Sequence, residues 1–271
     1  MESTISTIRI GGRTRCKVGA LKPVDYHENL DIPCMHFVPE QEYEIVSVYF
    51  PSDKKKYETF KKVFEHSTKA NTNAHVRLIE VPREVNGVRR LWWANNLQKA
   101  RMWAEIAQTI EVPTVFMDVD VLVRDDLLQG FQRDITITRR PLTNSWFNSG
   151  AVWVMPSVAV KAFFLKWYEE VKFLIKNETF LREASKYHVG LHQTSFIRLL
   201  ERGELNGISI GVLDGNIWNA TRNNWTKCTD ETKVIHVTAR LWDEIVRKRP
   251  RRFAEAAGVY KSYACEIGAM K

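Results

Sequence analysis

The run Val115-Phe116-Met117-Asp118-Val119-Asp120-Val121 sets two carboxylates in otherwise apolar, largely β-branched surroundings. Such a run predicts a buried strand with the acids toward its carboxyl end. Unpaired charge is expensive to bury, so the acids must meet a cation or open into a cleft. Residues i and i+2 project to the same side of an extended chain. Asp118 and Asp120 can therefore approach one ion together, directly or through its water shell. Hard divalent cations take such oxygen ligands, and magnesium is usually held by one or two carboxylates plus substrate phosphates. The chemistry implied is a metal–diphosphate site. The plainer alternative is a pair of solvated loop acids after a strand.

For the pair to face a ligand, neighbouring elements must place that strand end at an edge. Residues 45–50 read as a strand, and Pro51-Ser52-Asp53 as a turn and helix cap. A helix of about a dozen residues follows, with Tyr57, Phe60, Val63 and Phe64 on one face. Residues 76–81 predict a second strand, and 91–110 a helix with Trp93, Leu97, Ala100, Ala104 and Ala107 at helical spacing. Further strands are expected at 135–138, 151–155, 208–213 and 233–237, and helices at 158–175 and 191–201. Strands alternating with helices predict an α/β domain whose mostly parallel sheet is covered on both faces. Ligands of such sheets bind beyond the carboxyl ends of the strands, which is where the two aspartates fall. Residues 1–43, punctuated by Gly11-Gly12, Pro23, Pro33 and Pro39, keep no period. They are expected to form an irregular extension with one short strand, packed on a main domain of residues 44–271.

A chain of 271 residues, 44% of them hydrophobic, can form one large α/β domain or two small ones. No apolar run approaches the roughly 18–20 residues that span a bilayer. The start, Met1-Glu2-Ser3-Thr4-Ile5-Ser6, lacks the basic and apolar blocks of a secretory signal, so a cytoplasmic protein is the expectation. Cys16, Cys34, Cys228 and Cys265 are far apart and predict reduced thiols rather than a zinc site. The N-x-[ST] triplets at Asn177, Asn219 and Asn224 read as chance. Forty Lys and Arg against 32 Asp and Glu give +8, which favours an anionic partner: nucleotide phosphates, nucleic acid or anionic lipid. The cations concentrate in Arg247-Lys248-Arg249-Pro250-Arg251-Arg252.

Four elements in order carry a resemblance. They are Asp118-Val119-Asp120; Asn148-Ser149-Gly150 followed by Ala151-Val152-Trp153-Val154; His192-Gln193 before a helix; and Val234-Ile235-His236-Val237. Over residues 44–245 the chain resembles nucleotide-sugar-dependent glycosyltransferases of the GT-A fold with a DxD motif. The similarity is to retaining enzymes of the glycogenin and bacterial lipopolysaccharide galactosyltransferase type. The resemblance implies a single Rossmann-like domain that takes a sugar from a nucleoside-diphosphate donor with Mn2+ or Mg2+. In such a reaction negative charge gathers on the departing phosphate, and a divalent ion stabilises it as a Lewis acid.

Carried onto this chain, the resemblance makes Asp120 the direct metal ligand, with His236 as a third ligand. Asp118 either shares the ion or accepts hydrogen bonds from the ribose. Asn148 is expected to bond sugar hydroxyls, with Gly150 allowing close backbone approach in a tight turn. Gln193 matches the position on the sugar face away from the leaving group. His192 precedes it where relatives carry an acid, which weakens any case for a covalent intermediate and favours a front-face mechanism. After His236, relatives have a glycine and a lysine; here Thr238-Ala239-Arg240-Leu241-Trp242 follows, leaving Arg240 to steady the diphosphate or to stand solvated. Lys99, near Asn95-Asn96, is expected beside the nucleotide or in solvent, and Tyr49 against the nucleobase or in the core. Trp218-Asn219, Trp225 and Arg139-Arg140 are expected to line the acceptor side.

The acceptor is either a glycan or lipid-linked saccharide, or a modified base in DNA. A base would have to leave the duplex to react, and the Arg247 to Arg252 cluster would then track phosphates. Two other readings compete. A nucleic-acid-binding module with a degenerate transferase core would have little reason to retain two costly acids. A sugar nucleotidyltransferase would need a glycine- and arginine-rich loop after the first strand, where Phe50 is followed by Pro51-Ser52-Asp53.

Overall fold

The computed structural model describes residues 7–10, 13–16, 42–51, 54–82, 91–140, 147–184, 190–221, 224–237, 239–246 and 254–270. Two compact units divide the chain, Met1–Pro33 and Cys34–Lys271. In the first, β1 (Thr7–Ile10) and β2 (Arg13–Cys16) pair antiparallel, two strands where one was expected.

In the second unit, period-two alternation builds a sheet buried on both faces. Its strands are β3 (Glu44–Tyr49), β4 (His75–Glu80), β5 (Thr114–Met117), β7 (Ile135–Arg139), β8 (Phe147–Val154) and β9 (Ile210–Asp214). They lie in the order β4-β3-β5-β8-β7-β9, and all run parallel except β8. The fold is therefore α/β with a mostly parallel sheet, as expected. Two short strands, β6 (Val121–Val123) and β10 (Val234–His236), form a separate antiparallel ribbon.

The helices cover the faces by the same alternation. Val46, Val48, Phe116, Val152 and Val154 face a core shared with α2 (Leu91–Ala107), α3 (Val158–Lys176) and α5 (Leu191–Glu201). Ile45, Tyr49, Val115, Met117 and Trp153 face the other way. There they meet α1 (Lys54–Asn71), α7 (Ala239–Val246) and α8 (Ala254–Glu266). Two short helices, α4 (Glu178–Ala184) and α6 (Gly215–Trp218), complete the set. Ser157 caps α3 by accepting a hydrogen bond from the Val160 N–H at 3.1 Å. Among the described residues, no helix is long and apolar enough to cross a membrane.

Two local expectations are corrected. The strand expected through Asp120 is two strands: β5 stops at Met117, and β6 begins at Val121 in a different sheet. The chain bends between them as β5 pairs with β8 and β6 with β10, and Val119 stays buried while Asp118 and Asp120 are half-exposed. Asn148-Ser149-Gly150 is not a turn before a strand but part of β8 itself, at an irregularity in the pairing with β7. The helix cap at Ser52-Asp53 and the Arg247 to Arg252 cluster lie outside the described residues.

Phe116 is fully enclosed between Trp103 and Phe164, with ring centroids at 5.1 and 5.2 Å. Phe116→Ala is expected to destabilise the protein by about 3–5 kcal/mol in denaturant titration. Val158→Ala, at an exposed position, should change stability by no more than about 0.5 kcal/mol. Equal effects of the two would contradict this packing.

Candidate active site

Pairing geometry assembles the site. The Asp118 N–H donates to the Gly150 carbonyl at 2.9 Å, which fixes the first acid against β8. Val119 points into the core and is 5% exposed, so the acids on either side of it turn outward together. The ribbon supplies the third group: His236 lies opposite Val121, and the Val237 N–H donates to the Asp120 carbonyl at 2.6 Å. Residues far apart in sequence thus converge at the carboxyl end of β5.

His236 Nε2 stands 3.3 Å from Asp120 Oδ1 and 3.5 Å from Asp118 Oδ2. One ligand atom from each residue lies within 4.8 Å of the others. Two oxygens or nitrogens bound to one ion at about 2.1 Å lie about 3 Å apart when cis, so the triad could close on a single cation with small movements. The two carboxylates suit a hard divalent cation, and the imidazole also admits a borderline one.

The surroundings orient the imidazole. Asn219 Oδ1 lies 3.3 Å from His236 Nδ1 and is placed to accept its proton, which directs Nε2 toward the acids. Asn219 Nδ2 donates to Asn148 Oδ1 at 2.8 Å and to the Thr138 hydroxyl at 3.0 Å. Asn148 Oδ1 also accepts from the Gly150 N–H at 2.6 Å. The indole of Trp225 donates to the His236 carbonyl at 3.1 Å. Gly150 is required by contact: a Cβ there would lie 2.3 Å from His236 Cε1 and 2.4 Å from Nδ1.

Lys99, reaching from α2, pairs with Asp118 and lies 4.3 Å from the centroid of the Trp103 ring. Burial opposes charge on Asp120, but His236 and Lys99 outweigh it and hold its carboxyl below the usual value. Burial likewise opposes protonation of His236, and the two aspartates overcome it, raising its pKa above 6.5. The hydroxyl of Tyr260, on α8, is buried with no hydrogen-bond partner among the described residues and feels the Asp120 charge.

The expected residues differ in where the fold places them. Lys99, Asp118, Asp120, Asn148, Gly150 and His236 are brought together. Gln193 stands half-buried on the first turn of α5, with Gly190 at φ 101° packed beneath its side-chain amide. Tyr49, His192, Trp218 and Trp225 are not displayed for ligands. Tyr49 packs in the core and donates to Glu80 Oε2 at 2.7 Å, so it offers no open face for a base. His192 is enclosed between Trp103 and Trp167, and its Nε2 lies 2.7 Å from the Asn96 carbonyl. Burial, followed by the charge of Lys99, pushes its pKa down to about 3, so it is a neutral wall behind Lys99. Trp218 packs edge-on against Trp153 and is 9% exposed, and Trp225 is fully buried. Of Arg240, only its place in α7 is described.

Thr138 was not singled out by the sequence, and Asn219 was expected to line the acceptor side, whereas both stand behind His236. The signal for Thr138 was available: Thr136 and Thr138 alternate with Ile135 and Ile137, so one face of that strand must satisfy buried hydroxyls.

Comparison with known proteins places the site within a known family of sequences. A family model described as nucleotide-diphospho-sugar transferase matches residues 96–251, which contain the acid pair, Asn148 and His236. Among solved structures, the chain is similar to a glycosyltransferase involved in glycosylation of the major capsid of PBCV-1. The TM-score is 0.54 at 14% identity, covering 85% of this chain and 100% of that one. At that identity the likeness concerns the fold. No curated protein matches by sequence.

Gly150→Ala is expected to push the His236 ring off its Asn219 partner, seen as shifted His236 ring resonances in NMR spectra. Unchanged ring resonances would contradict the contact.

Proposed function

The chain belongs to the nucleotide-diphospho-sugar transferase family, and on that footing we propose a metal-dependent glycosyltransferase that moves its sugar with retention to a saccharide hydroxyl. Residues 44–271 form the catalytic domain. The observation that carries this reading is the Asp118–Asp120–His236 triad at the carboxyl end of β5, with the imidazole locked by Asn219.

Asp120 and His236 would hold the ion, with Asp118 shared between the ion and Lys99. Bound there, Mn2+ or Mg2+ supplies Lewis-acid stabilisation of the departing diphosphate. Lys99 adds a positive charge on the same side and is drawn from Asp118 toward the phosphates as the donor enters. Asn148 keeps its oxygen engaged within the protein, so its amide nitrogen is the group presented to the donor sugar. Gln193 lines the sugar face away from the leaving group. A glutamine amide makes a poor nucleophile, so the economical route has no sugar–enzyme bond. The acceptor oxygen bonds to the anomeric carbon as the bond from that carbon to the phosphate oxygen breaks. The phosphate oxygen takes the acceptor proton on the same face.

Asp120→Ala should lower transfer at least about a hundredfold and abolish metal-dependent donor binding, with an unchanged far-ultraviolet spectrum. Donor affinity that still rises with Mn2+ in this variant would sink the assignment. Asn219→Ala should weaken Mn2+ binding by about 10–100-fold, as losses of partners behind a metal ligand do, read by electron paramagnetic resonance. A screen of activated sugars with Mn2+ or Mg2+, scored by nucleoside-diphosphate release, identifies the donor. No release from any donor would defeat the proposal.

A further inference from the structure

Across the sheet from the acid pair stands a cation that nothing in the described fold answers. Arg140 follows β7 directly and lies two positions beyond Thr138. Thr138 turns its hydroxyl into the cluster that holds His236. Because i and i+2 share a side of an extended chain, Arg140 leaves the strand on the same side. It lies close enough for its charge to oppose protonation of His236. Arg140 Nε is buried with no hydrogen-bond partner among the described residues, while the residue as a whole is half-buried. The stem is therefore enclosed while part of the side chain still meets solvent. A guanidinium stays charged. Enclosing one without a carboxylate sacrifices hydration for no return from the protein, and an arriving anion would restore the balance.

The sheet order indicates which anion. The donor diphosphate belongs at β5, beside the triad and Lys99. Lys99 comes from α2, the helix that links β4 to β5, so the nucleoside extends toward β3 and β4. β8 separates β5 from β7. At about 4.8 Å per strand, the axis of β7, which Arg140 continues, lies about 10 Å from that of β5. The β7 side is left for the acceptor. A single recessed guanidinium matches one anionic group with two parallel hydrogen bonds, whereas a nucleic-acid backbone calls for a row of cations. We infer that Arg140 binds an anionic group, a phosphate or a carboxylate, carried by the saccharide whose hydroxyl receives the sugar.

This inference rests on the transfer reaction proposed above, and its test separates the two. The full-length protein, without metal or donor, is titrated calorimetrically with a hexose 6-phosphate, a hexuronate and the neutral hexose. The phosphate or the uronate should bind at least about tenfold more tightly than the neutral sugar, and the pair of arms identifies which anion is preferred. Arg140→Gln should erase the preference and Arg140→Lys retain part of it. In transfer assays, Arg140→Gln should raise KM for the anionic acceptor at least about tenfold with a smaller change in kcat. Equal binding of charged and neutral hexoses by the wild type, or a preference that survives Arg140→Gln, would overturn the inference. So would a tenfold loss of Mn2+–nucleoside-diphosphate binding in Arg140→Gln, which would assign the cation to the donor. A short oligonucleotide that binds more tightly than the hexose phosphate in an Arg140-dependent way would also overturn it. Failure of the wild type to release diphosphate from any activated sugar would defeat the transfer reading and leave the sugar titration standing.

Discussion

Two carboxylates held side by side at the end of a buried strand repel each other and lose hydration, and the rest of this site is arranged to answer that cost. Removing one partner from a buried ion pair typically costs about 3–5 kcal/mol, so the compensating groups must be fixed as firmly as the acids. Lys99 arrives from α2, and His236 arrives from the β6–β10 ribbon. Val119 anchors the bend between the acids in the core. The ribbon has a clear purpose in this light. Its pairing with Val121 brings His236 beside Asp120, and neither strand belongs to the main sheet.

Behind the triad lies a cluster whose polar atoms answer one another: Asn219, Asn148, Thr138 and the Gly150 N–H. Satisfied buried networks are stiff, whereas half-satisfied ones are costly. The cluster ties β7, β8 and the segment before β10 into one support, so the imidazole cannot swing without breaking several hydrogen bonds. A metal-binding site benefits from such stiffness, because ligand orientation persists before the ion and donor arrive. Gly150 belongs to the same logic, since any side chain there would fill the space of the ring.

Much of the fold was legible because strands such as residues 45–50 and the helix at 191–201 announce themselves by period and apolar content. The acid pair was legible because carboxylates in an apolar run have few structural excuses. The family resemblance supplied the order of Asn148, Gln193 and His236, and the family match spans all three. What failed depended on contacts distant in sequence. The bend at Asp118 comes from pairing with β8 on one side and β10 on the other, which no local pattern encodes. Tyr49, Trp218 and Trp225 carry polar handles that suit ligands, but here the handles or faces are spent on Glu80, Trp153 and the His236 carbonyl. His192 stands where relatives carry an acid, and the cage of Trp103 and Trp167 encloses it. Asn219 was expected on the acceptor side, and only its contacts with His236 and Asn148 show it behind the imidazole.

The most direct measurement is a crystal structure of the protein with Mn2+ and a nucleoside diphosphate, the ion located by its anomalous scattering. The expected result is one peak about 2.2 Å from an Asp120 oxygen and His236 Nε2, bridging to the diphosphate, with Lys99 turned toward the phosphates. A diphosphate bound with the ion elsewhere, or an ion absent from the triad at saturating Mn2+, would contradict the account.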